Sequence, residues 1–415
     1  GRLAPAERHL AGPGNTQGTP AEHSDEGGAA HGGEGEQHEE EHGHDHDVLL
    51  FFFTAIIVAA MITWLTTIRC FHGLQQTVTL FVVGILFSLL QEGLGLHDKL
   101  GMLGRSYKMW MDIDPHLLLY TTLPALLTAD AMTIDTNVAM RVANQCIFLA
   151  GPGVLVSAML TALFLWLYLP YDWPFLLCLT AGSILCATDP VAVVALLKEL
   201  GAAPTLTVQI QGESLLNDGT AIVLYTIAYN MLRGDEYDVY EIVIFLIKTA
   251  MCACVFGAVS GWFFLGCIRA CRNKLDHSSA LIQTVLTLSC AYWSFIIAEG
   301  VLKVSGVLAC VTASLVLAHK MWPVIVDRSA LTAFWHTFEY LGNDVVFFLA
   351  GALAGNAMVH IPGEDYLHLL TIYIVLTVIR GGMIFASRPI LRQLSPEKKP
   401  VPVADALIMT WGGLR

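Results

Sequence analysis

The chain has little charge. Only 14% of its 415 residues are Asp, Glu, Lys or Arg, well below the ~25% of an ordinary soluble domain. By contrast 55% are apolar, and the mean hydropathy is +0.60. A soluble globular fold is excluded on that ground, and an all-α polytopic membrane protein is implied. The cysteines form no pattern. All ten fall at or after Cys70, singly, within or beside apolar runs. Neither a disulfide framework nor a CxxC metal motif is present, and the cysteines read as small apolar filler in helices. No H-E-x-x-H stands in an apolar segment, which counts against the alternative function, a divalent-metal (zinc) permease. No pore-lining signature repeats, as a channel would require. No serine–histidine pair or metal-ligand spacing lies within the apolar runs, so neither an enzyme nor a resident cofactor is expected. The net charge of -13 says little about partners, because much of the acid lies at the N-terminus. Lipid is the expected surrounding, and nucleic acid is not an expected partner.

What is present falls into two materials. Residues 1–47 are mostly Gly, Glu, His and Asp and end HEEEHGHDHD. Such a segment cannot bury enough apolar surface to fold, and a solvated, disordered tail is expected. Its seven histidines have the composition of a loose zinc or copper chelator. It lacks the basic start and short apolar core of a signal peptide.

Residues 48–415 are the transmembrane domain. Apolar segments follow one another near 48–68, 76–94, 115–131, 139–168, 174–198, 205–232, 239–268, 278–300, 304–319, 332–355, 366–388 and 402–415. Each except the last is close to or longer than the ~20 residues that cross a bilayer, giving about 12 spans. Trp166, Tyr168, Tyr171 and Trp173 cluster at a turn, as aromatics do at a membrane surface. With the N-terminus outside, twelve Lys and Arg fall on inner loops and helix ends and five on outer ones. That asymmetry predicts an extracytoplasmic tail. The last span stops at Trp411-Gly412-Gly413-Leu414-Arg415, too short to cross. It reads as the middle of an interrupted helix, so a fragment is expected.

The most informative stretch is Cys186–Tyr225, CATDPVAVVALLKELGAAPTLTVQIQGESLLNDGTAIVLY. It is apolar, yet it carries Asp189, Glu213 and Asp218. A carboxylate at membrane depth is expensive and by default marks an ion or proton pathway. Pro190 removes a backbone donor and frees a carbonyl that needs another partner, such as a cation. The Asp189-Pro190 and Gly412-Gly413 interruptions lie in corresponding late positions of two halves, the pattern of an inverted-repeat transporter with its site at the midplane.

Helical spacing puts Ser214 under Asp218 and beside Asn217. One face thus offers a hydroxyl, an amide carbonyl and a carboxylate. Thr188 and Asp189, at the break, add a hydroxyl, freed carbonyls and a second carboxylate. All are hard oxygen donors, suited to an alkali cation and wrong for soft metals. Glu213 lies roughly 100° around the helix from Ser214 and needs its own partner. Arg380, in TIYIVLTVIRGGMIF, is equally isolated, so a structural Glu213–Arg380 ion pair is expected. Lys248 lies deep in a helix and takes no role. Glu299 and Lys303, one turn apart, are expected to pair locally.

These residues sit in longer strings. ATDPVAVVALLKELG (187–201), GESLLNDGTAIVLY (212–225), AEGVLKVSGVLA (298–309) and the terminal WGGLR resemble the signatures of cation/proton antiporters of the sodium/proton exchanger type. The likeness runs from about Phe51 to the end and is greatest to the NhaP-like and plant plasma-membrane Na⁺/H⁺ antiporters. The resemblance implies a NhaA-like inverted-repeat fold of thirteen helices, with two interrupted crossing helices and here truncated in the last ones. It also implies a homodimer in which a core domain moves against a dimerisation domain. Carried onto this chain, the ion-binding pattern falls on Thr188, Asp189, Ser214, Asn217 and Asp218, the structural pair on Glu213 and Arg380, and a further motif arginine on Arg415. In LPALLTADAM (123–132), Asp130 stands one position after an acid common in the family. The expectation is a secondary transporter exchanging Na⁺, K⁺ or Li⁺ for H⁺ in the plasma membrane. With Asn217 beside Asp218 in place of a second carboxylate, one proton per cation and no net current are expected.

Overall fold

In hydrocarbon every backbone N–H and C=O must find its partner within the protein, and a helix does this within one segment. The computed structural model describes residues 34–66, 68, 75–95, 101–188, 190–235, 238–272 and 277–412, and among them no strand occurs. The chain divides into a short unit, Gly1–His46, and a helical unit, Asp47–Arg415. In chain order the helices are α1 (Glu34–Thr66), α2 (Gln76–Gly93), α3 (Met102–Met111), α4 (Pro115–Thr133), α5 (Thr136–Phe148), α6 (Val154–Tyr168), α7 (Phe175–Leu185) and α8 (Val191–Glu199). They continue with α9 (Pro204–Leu232), α10 (Val239–Ala270), α11 (His277–Ile296), α12 (Gly306–Lys320), α13 (Arg328–His360), α14 (Gly363–Leu394) and α15 (Val403–Trp411).

A helix stands on each apolar segment read from the sequence, with two qualifications. The segment 174–198 is two short helices, α7 and α8, and α5 runs into α6 through a π-helical turn at Leu149–Gly153 that holds Pro152. Among the described residues seven helical stretches are long and apolar enough to cross a membrane by themselves: His46–Thr66, Gln76–Gly93, Thr136–Tyr168, Tyr240–Ala270, Ser278–Leu302, Arg328–His360 and Gly363–Leu394. Side chains in the short connections start several helices. Asp114, Asp135, Ser305 and Asp327 each accept from a free amide of the first turn that follows, which satisfies a donor that no helix can satisfy internally.

α3 has no counterpart in the sequence reading. Its polar positions keep it below span hydropathy, but Tyr107 and Trp110 are buried. It clasps α1 and α2: Trp110 Nε1 donates to Val48 O at 2.7 Å, Phe51 N to Ser106 Oγ at 2.9 Å, and the Ser88 and Tyr107 hydroxyls share a hydrogen bond of 2.7 Å. α2 and α13 pack backbone to backbone. A Cβ on Gly84 would stand 2.5 Å from the Phe348 carbonyl, so only glycine permits this approach.

A large apolar core joins α4, α5 and α9 to α13 around Leu265, Phe295, Leu317 and Leu331. A second core joins α8, α9, α14 and α15 through Val194, Ile210, Ile384 and Met409. α9 belongs to both, and the broken pair α7–α8 packs against it. The local pairing of Glu299 with Lys303 does not form. Lys303 takes a left-handed conformation (φ 54°) that reverses the chain, and Glu299 Oε2 accepts from Gly306 N at 2.9 Å. The carboxylate therefore caps the start of α12, where the helix dipole favours it.

Candidate functional site

The helix ends at Leu185 and resumes at Val191. Between them the backbone carbonyls of Cys186 and Thr188 have lost their helical donors, and α9 supplies replacements. Asn217 Nδ2 donates to Cys186 O and to Thr188 Oγ1, both at 3.1 Å. Ser214 Oγ donates to Thr188 O. These bonds lie out of water, with Thr188, Ser214 and Asn217 all buried. A carbonyl can only accept, so the Cys186 bond fixes which end of the Asn217 amide faces the break. The other end, Asn217 Oδ1, is buried and has no hydrogen-bond partner among the described residues. A buried acceptor left over in this way is costly unless something fills it. Asp189 lies outside the described residues, as does Arg415.

Beside the stitched break is a cavity of about 310 Å³. Ser214 and Asp218 line it from α9, Pro190 and Lys198 from the broken helix, Asp130 and Thr133 from α4, and His336 and Glu339 from α13. Asp218 and Asp130, both half-buried, thus open on one polar space. Of the residues singled out in the sequence, Thr188, Ser214 and Asn217 meet at the break, while Asp218 and Asp130 share the cavity next to it.

Glu213 points elsewhere, as its position on α9 requires. Its Oε1 lies 3.1 Å from Arg380 Nη1, with both side chains almost wholly buried. Arg380 Nε also donates to Met409 O at 3.2 Å, so the guanidinium ties α9 and α14 to α15. Glu213 Oε2 has no hydrogen-bond partner among the described residues.

The sequence reading passed over two features of α13. His336 and Glu339 stand three residues apart in FWHTFEYLGND, and that spacing on an apolar helix was the available signal. Asp344, in the same string, is 1% exposed and accepts from Gln76 Nε2 at 2.9 Å. An acid within a span was again the signal.

A family model described as sodium/hydrogen exchanger, transmembrane, matches residues 53–415. Sodium/hydrogen exchanger 8 of Arabidopsis thaliana is 31% identical over 378 residues, covering 89% of this chain and 48% of that protein. Sodium/hydrogen exchanger 7 of the same plant is 32% identical over 346 residues, covering 82% and 29%. The chain therefore spans about half or less of the length of these two relatives. The Na(+)/H(+) antiporter NhaP of Pseudomonas aeruginosa is 29% identical over 373 residues, with coverages of 86% and 84%. The solved structure of the sodium proton antiporter MjNhaP1 from Methanocaldococcus jannaschii at pH 8 superposes with a TM-score of 0.61 at 17% identity, over 88% of this chain and 82% of that one. The family match reaches across most of the helical unit and the superposition gives its fold: this multi-pass membrane protein belongs to the transmembrane sodium/hydrogen exchanger family.

Proposed function

We propose that the chain exchanges Na⁺ for H⁺ by alternating access, with Asp218 as the carboxylate that both ions occupy in turn. The observation that carries this reading is the stitched helix break. Two α9 side chains satisfy freed backbone groups, and one buried oxygen, Asn217 Oδ1, has no hydrogen-bond partner among the described residues and lies near Asp218, a carboxylate on a polar cavity. Hard oxygen donors suit an alkali cation, so K⁺ and Li⁺ are candidates beside Na⁺. The names of the relatives, sodium/hydrogen exchanger and Na(+)/H(+) antiporter, support the pairing of Na⁺ with H⁺.

In this mechanism the Asp218 carboxylate releases a proton and gains the cation, aided by Asn217 Oδ1, by the second lone pairs of Ser214 and Thr188, and by Asp189. Asp130, which lines the same cavity as Asp218, serves as an accessory acid. Glu213 and Arg380 hold the site helix and take no ion, and Arg415 is a further arginine of the family's motif pattern. One carboxylate discharged per cation makes the cycle electroneutral. The protein works as a homodimer in the plasma membrane, with its N-terminus extracytoplasmic and residues 48–415 the transporting domain.

The test is proton flux in vesicles containing the purified chain, driven by Na⁺, K⁺ or Li⁺ gradients and repeated under an imposed membrane potential. Cation-driven flux that ignores the potential is expected. Absence of flux with all three cations contradicts the reading, and a rate that follows the potential contradicts electroneutrality.

A further inference from the structure

The cavity beside Asp218 is not lined by the site helices alone. α13 lines it as well, with Glu339 and, one turn earlier, His336. Lys198, on the last turn of α8, lines the same cavity. The full titratable lining is Asp130 from α4, Lys198 from α8, Asp218 from α9, and His336 and Glu339 from α13. Glu339 is half-buried and Lys198 exposed. Each lies within electrostatic range of the other, yet neither is engaged in an ion pair among the described residues. Opposite charges that share one small cavity without neutralising each other leave their fields to act on any ion that enters.

We propose that Glu339 is an affinity-setting carboxylate of the transport pathway: from α13 it attracts the incoming monovalent cation towards Asp218, and Lys198, from α8, opposes that attraction. This rests on the reading of Asp218 as the exchanging carboxylate. The magnitude follows from the size of the cavity. A space of this volume is roughly 10 Å across, and a unit charge at that range changes cation occupancy by about two- to twentyfold as the effective dielectric falls from bulk water to ~20. The two residues must therefore act with opposite signs. A merely structural role for either would not produce opposite signs, because loss of packing weakens binding whichever charge is removed.

The experiment titrates Na⁺ on each face of vesicles containing the reconstituted chain and reads the half-saturating concentration from proton flux. Glu339→Gln is expected to raise it about two- to twentyfold. Lys198→Gln is expected to lower it by a similar factor, and Glu339→Asp, which keeps the charge, to stay within about twofold of the unmodified chain. Shifts of the same sign in the two glutamine variants, or no shift in either, overturn the proposal. Should Glu339→Gln fail to fold, the exposed Lys198 still carries the sign test: a rise in half-saturating Na⁺ in Lys198→Gln overturns it. Asp218→Asn, measured alongside, separates the two levels. Continued exchange in that variant overturns the parent reading, whereas abolished exchange with same-sign shifts overturns only the role of Glu339.

Discussion

Removing either member of the Glu213–Arg380 pair should destabilise the protein, and removing both should cost less than the sum of the two single losses. The two charged groups meet at 3.1 Å with side-chain exposures of 2% and 6%. For unit charges about 4 Å apart at an effective dielectric of ~20, the attraction is about 4 kcal/mol, within the ~3–5 kcal/mol observed when a buried pair loses one partner. The two single variants are not equivalent. Arg380 also donates to Met409 O, and a hydrogen bond from a charged donor contributes about 1.5–3 kcal/mol. Arg380→Ala should therefore be less stable than Glu213→Gln, whose amide can still accept from the guanidinium. At about 2 cal/mol/K of unfolding entropy per residue, 4 kcal/mol in a chain of 415 residues lowers the melting midpoint by about 4–5 °C. The assay is thermal unfolding of the two single variants and the double variant in one detergent. The double variant should recover about 2–3 kcal/mol relative to the sum of the singles. Losses that simply add, or a midpoint unmoved in Glu213→Gln, would refute the reasoning.

Asn217→Ala removes both donations to the break and the buried oxygen Asn217 Oδ1. Half-saturating Na⁺ should rise at least about tenfold, as for the loss of a buried hydrogen-bonding group worth ~1.5 kcal/mol, and unchanged affinity in a flux titration would contradict the role. Competition of proton and cation for Asp218 has a signed pH dependence. Once the pH lies below the pKa of that carboxyl, each further unit of acidification should weaken apparent Na⁺ affinity about tenfold, equivalent to ~1.4 kcal/mol, while the saturating rate changes much less. Sodium affinity that stays flat across two units of acidification would remove the competition from the mechanism.

The break between α7 and α8 was legible because a proline beside an acid in an apolar run leaves few alternatives. Glu213 and Arg380 were legible for a similar reason, since two isolated opposite charges in one membrane domain have few other partners. The stitching itself was only half legible. Helical spacing put Ser214, Asn217 and Asp218 on neighbouring positions of α9, but the use of Ser214 and Asn217 to satisfy Cys186 and Thr188 depends on how α9 crosses the break. The wall supplied by Glu339 and His336 is tertiary in the same sense, because nothing in the spacing of α13 says that it faces α9. α3 escaped notice because it is only ten residues long and Arg105, Ser106 and Lys108 lower its hydropathy to that of a loop, although Tyr107 and Trp110 are buried. The local pairing of Glu299 with Lys303 assumed an unbroken helix, and the left-handed residue at Lys303 removes that premise.

The central claim is that one carboxylate, Asp218, serves proton and cation in turn. The most direct measurement is Na⁺-driven proton flux in vesicles carrying Asp218→Asn, with thermal unfolding run beside it to establish that the variant is folded. The amide keeps the shape of the side chain but neither takes up a proton nor carries charge. The account predicts a folded protein with no coupled exchange, and sodium-dependent proton flux retained by that folded variant would contradict it.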